Sequence, residues 1–458
     1  MSLSGISFLC IYFPILFIGY YNPVFKSRKF KNIILLLASL GLYAFAEPVY
    51  ILLLVGSILF NFIFAKIERK TGSRFWGYFA IIIDVLVLIF FKYINRALSF
   101  GLFSDYSMLR IAFPIGLSYF TFREISFILE SRKDDCRDAG LLDVALYISN
   151  FMCITAGPLG FYDAEIAQIK NREETKEKVF KGIKRFVTGL IKKIIIADSL
   201  LSLVNICFAQ DSLSVVMAWA GAIGYTLVIF FDFSGYTDMA IGIGNIFGFE
   251  LQENFALPYT AASVSDFWKR WHISLTKWFT RYIYIPLGGS RVNSKARHLF
   301  NLWVVWLCTG IWHGSSWTFV LWGMIYFVVQ AIEKYTDLPA KLKKLHIGHV
   351  YTLLIVTLCW VIFRADSVSD AFGYIGNMFG VNCSGILNGN ELSIIKYYIV
   401  PFTAGIILSS SLVTKFNKLK NDKLAVDIIW HIVLLLLFAV TLIIMAGKGY
   451  TAPLYAGF

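Results

Sequence analysis

Long apolar runs alternate with short polar, often basic, breaks from one end of the chain to the other. The runs can be drawn at Ile6–Tyr20, Ile33–Ala46, Ile51–Phe64, Gly77–Phe91, Leu109–Ile128, Leu142–Gly157, Phe186–Cys207, Leu213–Phe231, Leu299–Ile311, Trp317–Ile332, His349–Phe363, Tyr398–Ser410 and Ile428–Met445. Many approach the roughly 20 residues a helix needs to cross a bilayer core. The shorter ones are expected to be tilted, re-entrant or enclosed by other helices, where irregular backbone is tolerated at membrane depth. No Pro/Gly/Ser-rich linker, low-complexity tract or internal repeat interrupts the pattern. The expectation is an all-α polytopic membrane protein, a multi-helix bundle with re-entrant helices, forming one integral domain over residues 1–458.

The breaks carry the charge. "KSRKFK" (Lys26–Lys31), "KIERKTGSR" (Lys66–Arg74), "ESRKDDCRD" (Glu130–Asp138) and "KNREETKEKVFKGIKR" (Lys170–Arg185) are basic, whereas the turn at Glu47–Pro48 has neither lysine nor arginine. With positives inside, this alternation puts the N-terminus outside. The opening stretch "MSLSGISFLCIYFPILFIGYY" lacks a basic leader and a small-residue cleavage site, and reads as a retained first span. Composition agrees: of 458 residues, 58% are hydrophobic and only 16% charged, against about a quarter charged in soluble domains. The net charge of +13 does not signal nucleic acid, because the cations sit in short inter-span clusters and form no basic domain. Seven scattered cysteines without a CxxC pair argue against a disulfide framework or a zinc site, so no metal is expected.

Six histidines are present. His298, His346 and His349 fall in basic or loop-like stretches and His431 near the start of the last run; these read as surface or interfacial residues. His313 differs. It lies in "CTGIWHGSSWTFVLW" (Cys308–Trp322), almost wholly apolar and small. An ionisable residue at membrane depth is costly and usually marks a pathway or a reaction centre. Burial favours the neutral ring, the form that accepts a proton. The competing reading is a structural histidine bonded to another helix. Gly310, Gly314, Ser315 and Ser316 would allow close helix approach and leave room for a substrate.

His272 lies in "SVSDFWKRWHISLTKWFTRYIYIPLGGSR" (Ser263–Arg291). Ser263 and Asp266 have capping-box spacing, so a helix is expected to start there. Trp268, Trp271, Leu275 and Trp278 then share a broad helical face, with Lys269, Arg270, Lys277 and Arg281 as a basic complement. An amphipathic helix on an anionic membrane surface explains those residues, but not His272 or "PLGG" (Pro286–Gly289). Eight of the twelve tryptophans lie between Trp268 and Trp322; an aromatic belt would spread them over all spans, whereas the wall of a chamber concentrates them.

Other chemistry is weaker. "GIGNIFG" (Gly242–Gly248) lacks the dinucleotide spacing and follows no strand, so its glycines are expected to serve helix packing. No G-x-S-x-G occurs. Cys308 lies off the helical face of His313. The chain supplies a base and lacks its own nucleophile, so the attacking hydroxyl must come from elsewhere.

At these residues the sequence resembles the membrane-bound O-acyltransferase family, alginate O-acetyltransferase-like branch. The matching stretches are "FPIGLSYFTFREISFILE" (Phe113–Glu130), "TAGPLGFYD" (Thr155–Asp163), "GIKRFVTGLIKKIIIAD" (Gly182–Asp198), "FDFSGYTDMAIGIGNIFGFELQENFALPY" (Phe231–Tyr259), "SDFWKRWHISLTKWFTRYIYIPLGGSR" (Ser265–Arg291) and "GIWHGSSWTFVLWG" (Gly310–Gly323), so the core motifs span 113–323. The resemblance implies a tunnel through the membrane, with the histidine of the W-H-G motif, His313, catalytic and that of the R-W-H motif, His272, its partner. It implies a multi-pass protein of a bacterial plasma membrane that moves an acyl group from a cytoplasmic thioester to a hydroxyl presented from the other side. The donor expected is acetyl-CoA, used as a substrate with no permanently bound cofactor. The product expected is an acetylated extracellular polysaccharide, completed by an extracytoplasmic partner of the SGNH-hydrolase type. The closing "APLYAGF" (Ala452–Phe458) departs from the aromatic-rich tail frequent in the family. Teichoic acid D-alanyl transferases share the R-W-H segment; "YIPLGGSR" favours the acetyltransferase branch.

The expected mechanism has neutral His313 as general base, with His272 orienting the donor carbonyl or bonding the oxyanion. Lys269, Arg270 and Arg291 would meet the phosphates of coenzyme A, with Trp268 and Trp312 also beside the donor. A polysaccharide transporter without chemistry is the rival from another class.

Overall fold

A computed structural model describes residues 3–24, 26–99, 111–133, 136, 138–210 and 212–447; the C-terminal "APLYAGF" lies outside them. Helices dominate and no strand occurs among the described residues. Among the described residues, five helices are long and apolar enough to cross a membrane. They are α1 (Arg28–Ala46), α2 (Ile51–Thr71), α3 (Phe75–Ser99), α8 (Val215–Ile246) and α14 (Leu424–Gly447), with shorter helices between them. Lipid explains their outward faces: Leu52, Ile63, Ile82, Leu86 and Ile443 are all exposed, which water would penalise and hydrocarbon does not. The expected Tyr398–Ser410 span is half of a bent pair, Gly389–Tyr397 and Ile399–Ser409, meeting at 58°.

The contacts divide the chain into two compact units. One comprises the described residues within 1–187 and 236–252. In it, α4 (Leu117–Glu130), α5 (Leu141–Ser149) and α6 (Tyr162–Lys170) are tied together by Arg123. Its guanidinium donates to both oxygens of Glu165, at 2.5 and 3.2 Å, and to the Tyr147 carbonyl at 2.7 Å. A buried, bidentate, fully bonded pair of this kind holds three segments in register. The expected Leu142–Gly157 span shortens to α5, because the chain then turns sharply: a Cβ on Gly157 would fall 2.0 Å from the Met152 carbonyl oxygen. Farther on, α7 (Lys176–Ile191) packs where Gly182 meets Gly242 of α8; a Cβ on Gly242 would lie 2.6 Å from the Gly182 oxygen. The "GIGNIFG" glycines thus include a packing contact, as expected.

The other unit comprises residues 188–235 and 253–447. The run after Leu213 extends well past Phe231 as helix, through Asp232 and Asp238. Those acids are paired: Asp232 with Lys193 at 2.5 Å in this unit, and Asp238 with Arg185 at 2.9 Å in the first. Lys193 also meets Asp198 at 2.6 Å, so one buried cation answers two carboxylates.

Candidate active site

The segment Ser263–Arg291 does not form one helix. α9 (Val264–Arg270) and α10 (Ile273–Phe279) are separated by Trp271 and His272. His272 has φ 43°, ψ 54°, the left-handed region, which few residues other than glycine adopt and which histidine tolerates better than most. That corrects the single helical face expected from spacing, while Trp268, Trp271, Leu275 and Trp278 are all buried, against the reading of a helix lying on the membrane surface. The start of α9 is as predicted, with the Ser263 hydroxyl accepting from Asp266 N at 3.0 Å. A second anchor was not legible: Glu333 accepts from the N–H groups of Val264 and Ser265 at 2.7 and 2.8 Å.

The break aims the His272 ring inward, where it is 1% exposed. Its Nδ1 lies 3.1 Å from Asn254 Oδ1, and the Phe233 ring meets it edge-on at 4.7 Å. The orientation of the Asn254 amide is fixed by Ser274, whose backbone N–H and hydroxyl both donate to Oδ1, at 3.2 and 3.0 Å. An oxygen facing Nδ1 requires the proton there, which leaves Nε2 with a lone pair.

His313 closes α11 (Lys295–His313), which forms a hairpin with α12 (Trp317–Tyr335). The glycines set its closeness. A Cβ on Gly310 would lie 2.7 Å from the Phe319 carbonyl oxygen, and one on Gly323 would lie 2.6 Å from that of Trp306. A Cβ on Gly314 would strike the Phe319 ring at 2.3 Å. The glycines therefore admit the hairpin's own atoms, which occupy the room expected for substrate at Gly310 and Gly314. Ser316 caps α12, accepting from Thr318 N at 3.3 Å. The His313 ring is 2% exposed and lies 4.6 Å from Trp312, 5.0 Å from Trp322 and 5.1 Å from Phe363.

Ring contacts connect the two imidazoles. From His313 they run to Trp322, then Trp360 of α13 (Gly348–Arg364), Trp271, Phe255, Phe233 and His272. Trp322 also meets Trp268 at 5.6 Å. Trp268 and Lys269 line a cavity of about 440 Å³ with Tyr284, His298, Gln330 and Lys334. Neither His272 nor His313 lines it; Trp268 and Trp306 on its wall both meet Trp322, which meets His313.

Of the other candidates, Arg270 is tied to Asp266 at 3.0 Å and Arg291 is exposed; neither lines the cavity. His298, expected near the surface, is buried. Tyr284 lies 2.8 Å from its Nε2 and Tyr335 2.5 Å from its Nδ1. Its basic flanks concealed this, because the tyrosines that bracket it are distant in sequence.

The family model for MBOAT, the membrane-bound O-acyltransferase family, matches residues 111–341, the stretch that holds both histidines and the cavity. The chain belongs to this family. It is an O-acyltransferase of the membrane, which sets aside a transporter without chemistry. It is 36% identical over 394 residues to the probable alginate O-acetylase of Pseudomonas aeruginosa, covering 83% of this chain and 75% of that protein. It is 33% identical over 418 residues to the peptidoglycan O-acetyltransferase of Helicobacter pylori, covering 82% and 79%. The teichoic acid D-alanyltransferase of Bacillus subtilis is 27% identical over 238 residues, 49% of this chain and 59% of that one.

Proposed function

We propose that this enzyme transfers an acetyl group from acetyl-CoA, at the cytoplasmic side of a bacterial plasma membrane, to a hydroxyl destined for an extracellular or cell-wall polysaccharide. The relatives named for alginate and peptidoglycan acetylation span over four-fifths of the chain, and the D-alanyltransferase under half, which favours acetyl over D-alanyl transfer. The observation that carries the chemistry is His313: an imidazole enclosed by aromatic rings at the end of a helix held by glycine contacts.

In this reading the acceptor O–H gives its proton to His313 as its oxygen attacks the thioester carbonyl. The tetrahedral intermediate collapses, the C–S bond breaks, and the imidazolium returns the proton to the departing CoA thiolate. General-base assistance of this kind contributes about 10²–10⁴ in rate. His272, with its lone pair on Nε2, accepts a hydrogen bond from a substrate N–H or O–H. That replaces the expected oxyanion role, which needs a donor. In this reading the Trp268 N–H would supply one, once the thioester carbonyl has passed from the cavity toward His313. The 440 Å³ cavity suits a ligand arm, and Lys269 and Lys334 on its wall suit the donor's phosphates. A tunnel would join this antechamber to the far side, where an SGNH-type partner would complete delivery.

The test is transfer from labelled acetyl-CoA in purified membranes, with and without the candidate partner, followed by identification of the labelled product. His313→Ala should lower transfer by at least about 10²-fold at unchanged membrane level; activity near wild type would refute the mechanism.

A further inference from the structure

The first unit holds a second polar cavity, lined by neither His272 nor His313. A cavity of about 240 Å³ lies between α2, α3 and α4 and is lined, among apolar side chains, by Ser57, Asp84, Thr121 and Glu124. Asp84 is 5% exposed, Glu124 1% and the neighbouring Asn61 0%. Asn61 donates through Nδ2 to Asp84 Oδ1 and to the Ser57 carbonyl, each at 3.1 Å. Three acceptor oxygens are left: Asp84 Oδ2, Glu124 Oε1 and Asn61 Oδ1 find no hydrogen-bond donor among the described residues. The Ser57 hydroxyl is a hydrogen-bond partner of the Glu124 carboxyl and also lies 3.0 Å from the Leu54 carbonyl. No lysine, arginine or histidine among the described residues lines the cavity. Tyr43 is a further titratable group near Glu124.

Buried carboxylates are normally paired or coordinate metals, and elsewhere this chain answers its buried acids with cations: Glu165 with Arg123, Asp232 and Asp198 with Lys193. Here no lysine, arginine or histidine among the described residues supplies the counter-charge, while carboxylate and hydroxyl side chains line one cavity, with Asn61 hydrogen-bonded behind Asp84. That donor set suits hard cations, which take six or more oxygen ligands, and does not suit softer transition metals. We propose that Asp84 and Glu124, with Ser57 and Thr121, bind a hard metal cation of the alkali or alkaline-earth class, with Asn61 holding Asp84 in place, locking α2, α3 and α4 together.

A ligand that binds only the folded state raises stability in a saturable way. The experiment is thermal unfolding of the purified full chain at fixed pH and ionic strength. NaCl, CaCl₂ and MgCl₂ are each titrated against N-methylglucamine chloride. The expected result is a saturable rise of a few degrees in the unfolding midpoint with at least one of these metals. Glu124→Gln and Asp84→Asn should abolish the rise, while matching or exceeding wild type in metal-free buffer, since each relieves an uncompensated charge. Should these variants fail to fold, Thr121→Val removes only a neutral ligand and should move the titration midpoint to higher metal concentration. Stabilisation by protons but by no metal would overturn the proposal, as would a metal response unchanged in all the variants.

Discussion

Asn254 Oδ1 takes the backbone N–H and hydroxyl of Ser274 and faces Nδ1 of His272. A shared acceptor of this kind fixes a tautomer as well as a ring position, and the catalytic use of a histidine depends on which nitrogen keeps its lone pair. Asn254→Ala removes the acceptor without touching the ring. A neutral hydrogen bond contributes about 1 kcal/mol, so acetyl transfer should fall roughly tenfold at unchanged membrane level. Asn254→Asp tests the same point by charge: a carboxylate at Nδ1 favours the imidazolium, and the pH–activity profile should move toward higher pH. A profile and rate equal to wild type in both variants would show that the tautomer is not fixed from here. The asparagine sits inside a family-like stretch, "LQENFALPY", yet nothing local marks it, because its partners lie 18 and 20 residues downstream.

Helix positions were largely legible, and helix breaks were not. Runs such as Ile51–Phe64 and Trp317–Ile332 became α2 and α12 with a few residues added, since apolar content over a bilayer's width leaves the backbone little alternative to helix. The Trp268–Trp278 face kept its helical spacing on paper although the backbone reverses at His272. Periodicity does not register a single left-handed residue, and the interactions that hold it come from Asn254 and Phe233. The α11–α12 hairpin lies between these cases: small residues announced close packing, while the contacts they admit come from across the hairpin. Gly323 tests that closeness. A Cβ there would meet the Trp306 carbonyl at 2.6 Å, a backbone atom that cannot turn aside, so Gly323→Ala must spread the hairpin. Overpacking of this kind costs about 1–3 kcal/mol, which should appear as a lower unfolding midpoint. Transfer should fall further than the stability loss explains, because His313 ends the helix that is displaced. Stability and activity both at wild-type level would mean that the hairpin has slack.

At the scale of the molecule, ion pairs join the basic breaks in the manner their charge pattern requires. Arg28 and Lys31, from the first cluster, reach Glu174 of the fourth at 2.5 and 3.1 Å. Arg132, from the third, reaches Glu68 of the second at 2.5 Å. Each pair of breaks must therefore lie on one side of the bilayer, as the alternation of basic and non-basic breaks expects. Glu174 also accepts from the Tyr20 hydroxyl at 2.6 Å, so it clamps the entrance to α1 against the segment leading into α7. Burial pushes its carboxyl up, but hydrogen bonds from Arg28, Tyr20 and Lys31 outweigh that and hold it at about 2, against an ordinary 4.5. A carboxyl that is harder to protonate in the folded state stabilises that state above its ordinary pKa and loses the contribution as pH falls through the depressed one. The clamp should accordingly act in full at neutral pH and weaken from about pH 4 to about pH 2. Unfolding midpoints of wild type and Glu174→Gln, measured across that range, should differ most at neutral pH and converge toward pH 2. A difference that stayed constant with pH would mean that shape and not charge holds these segments together.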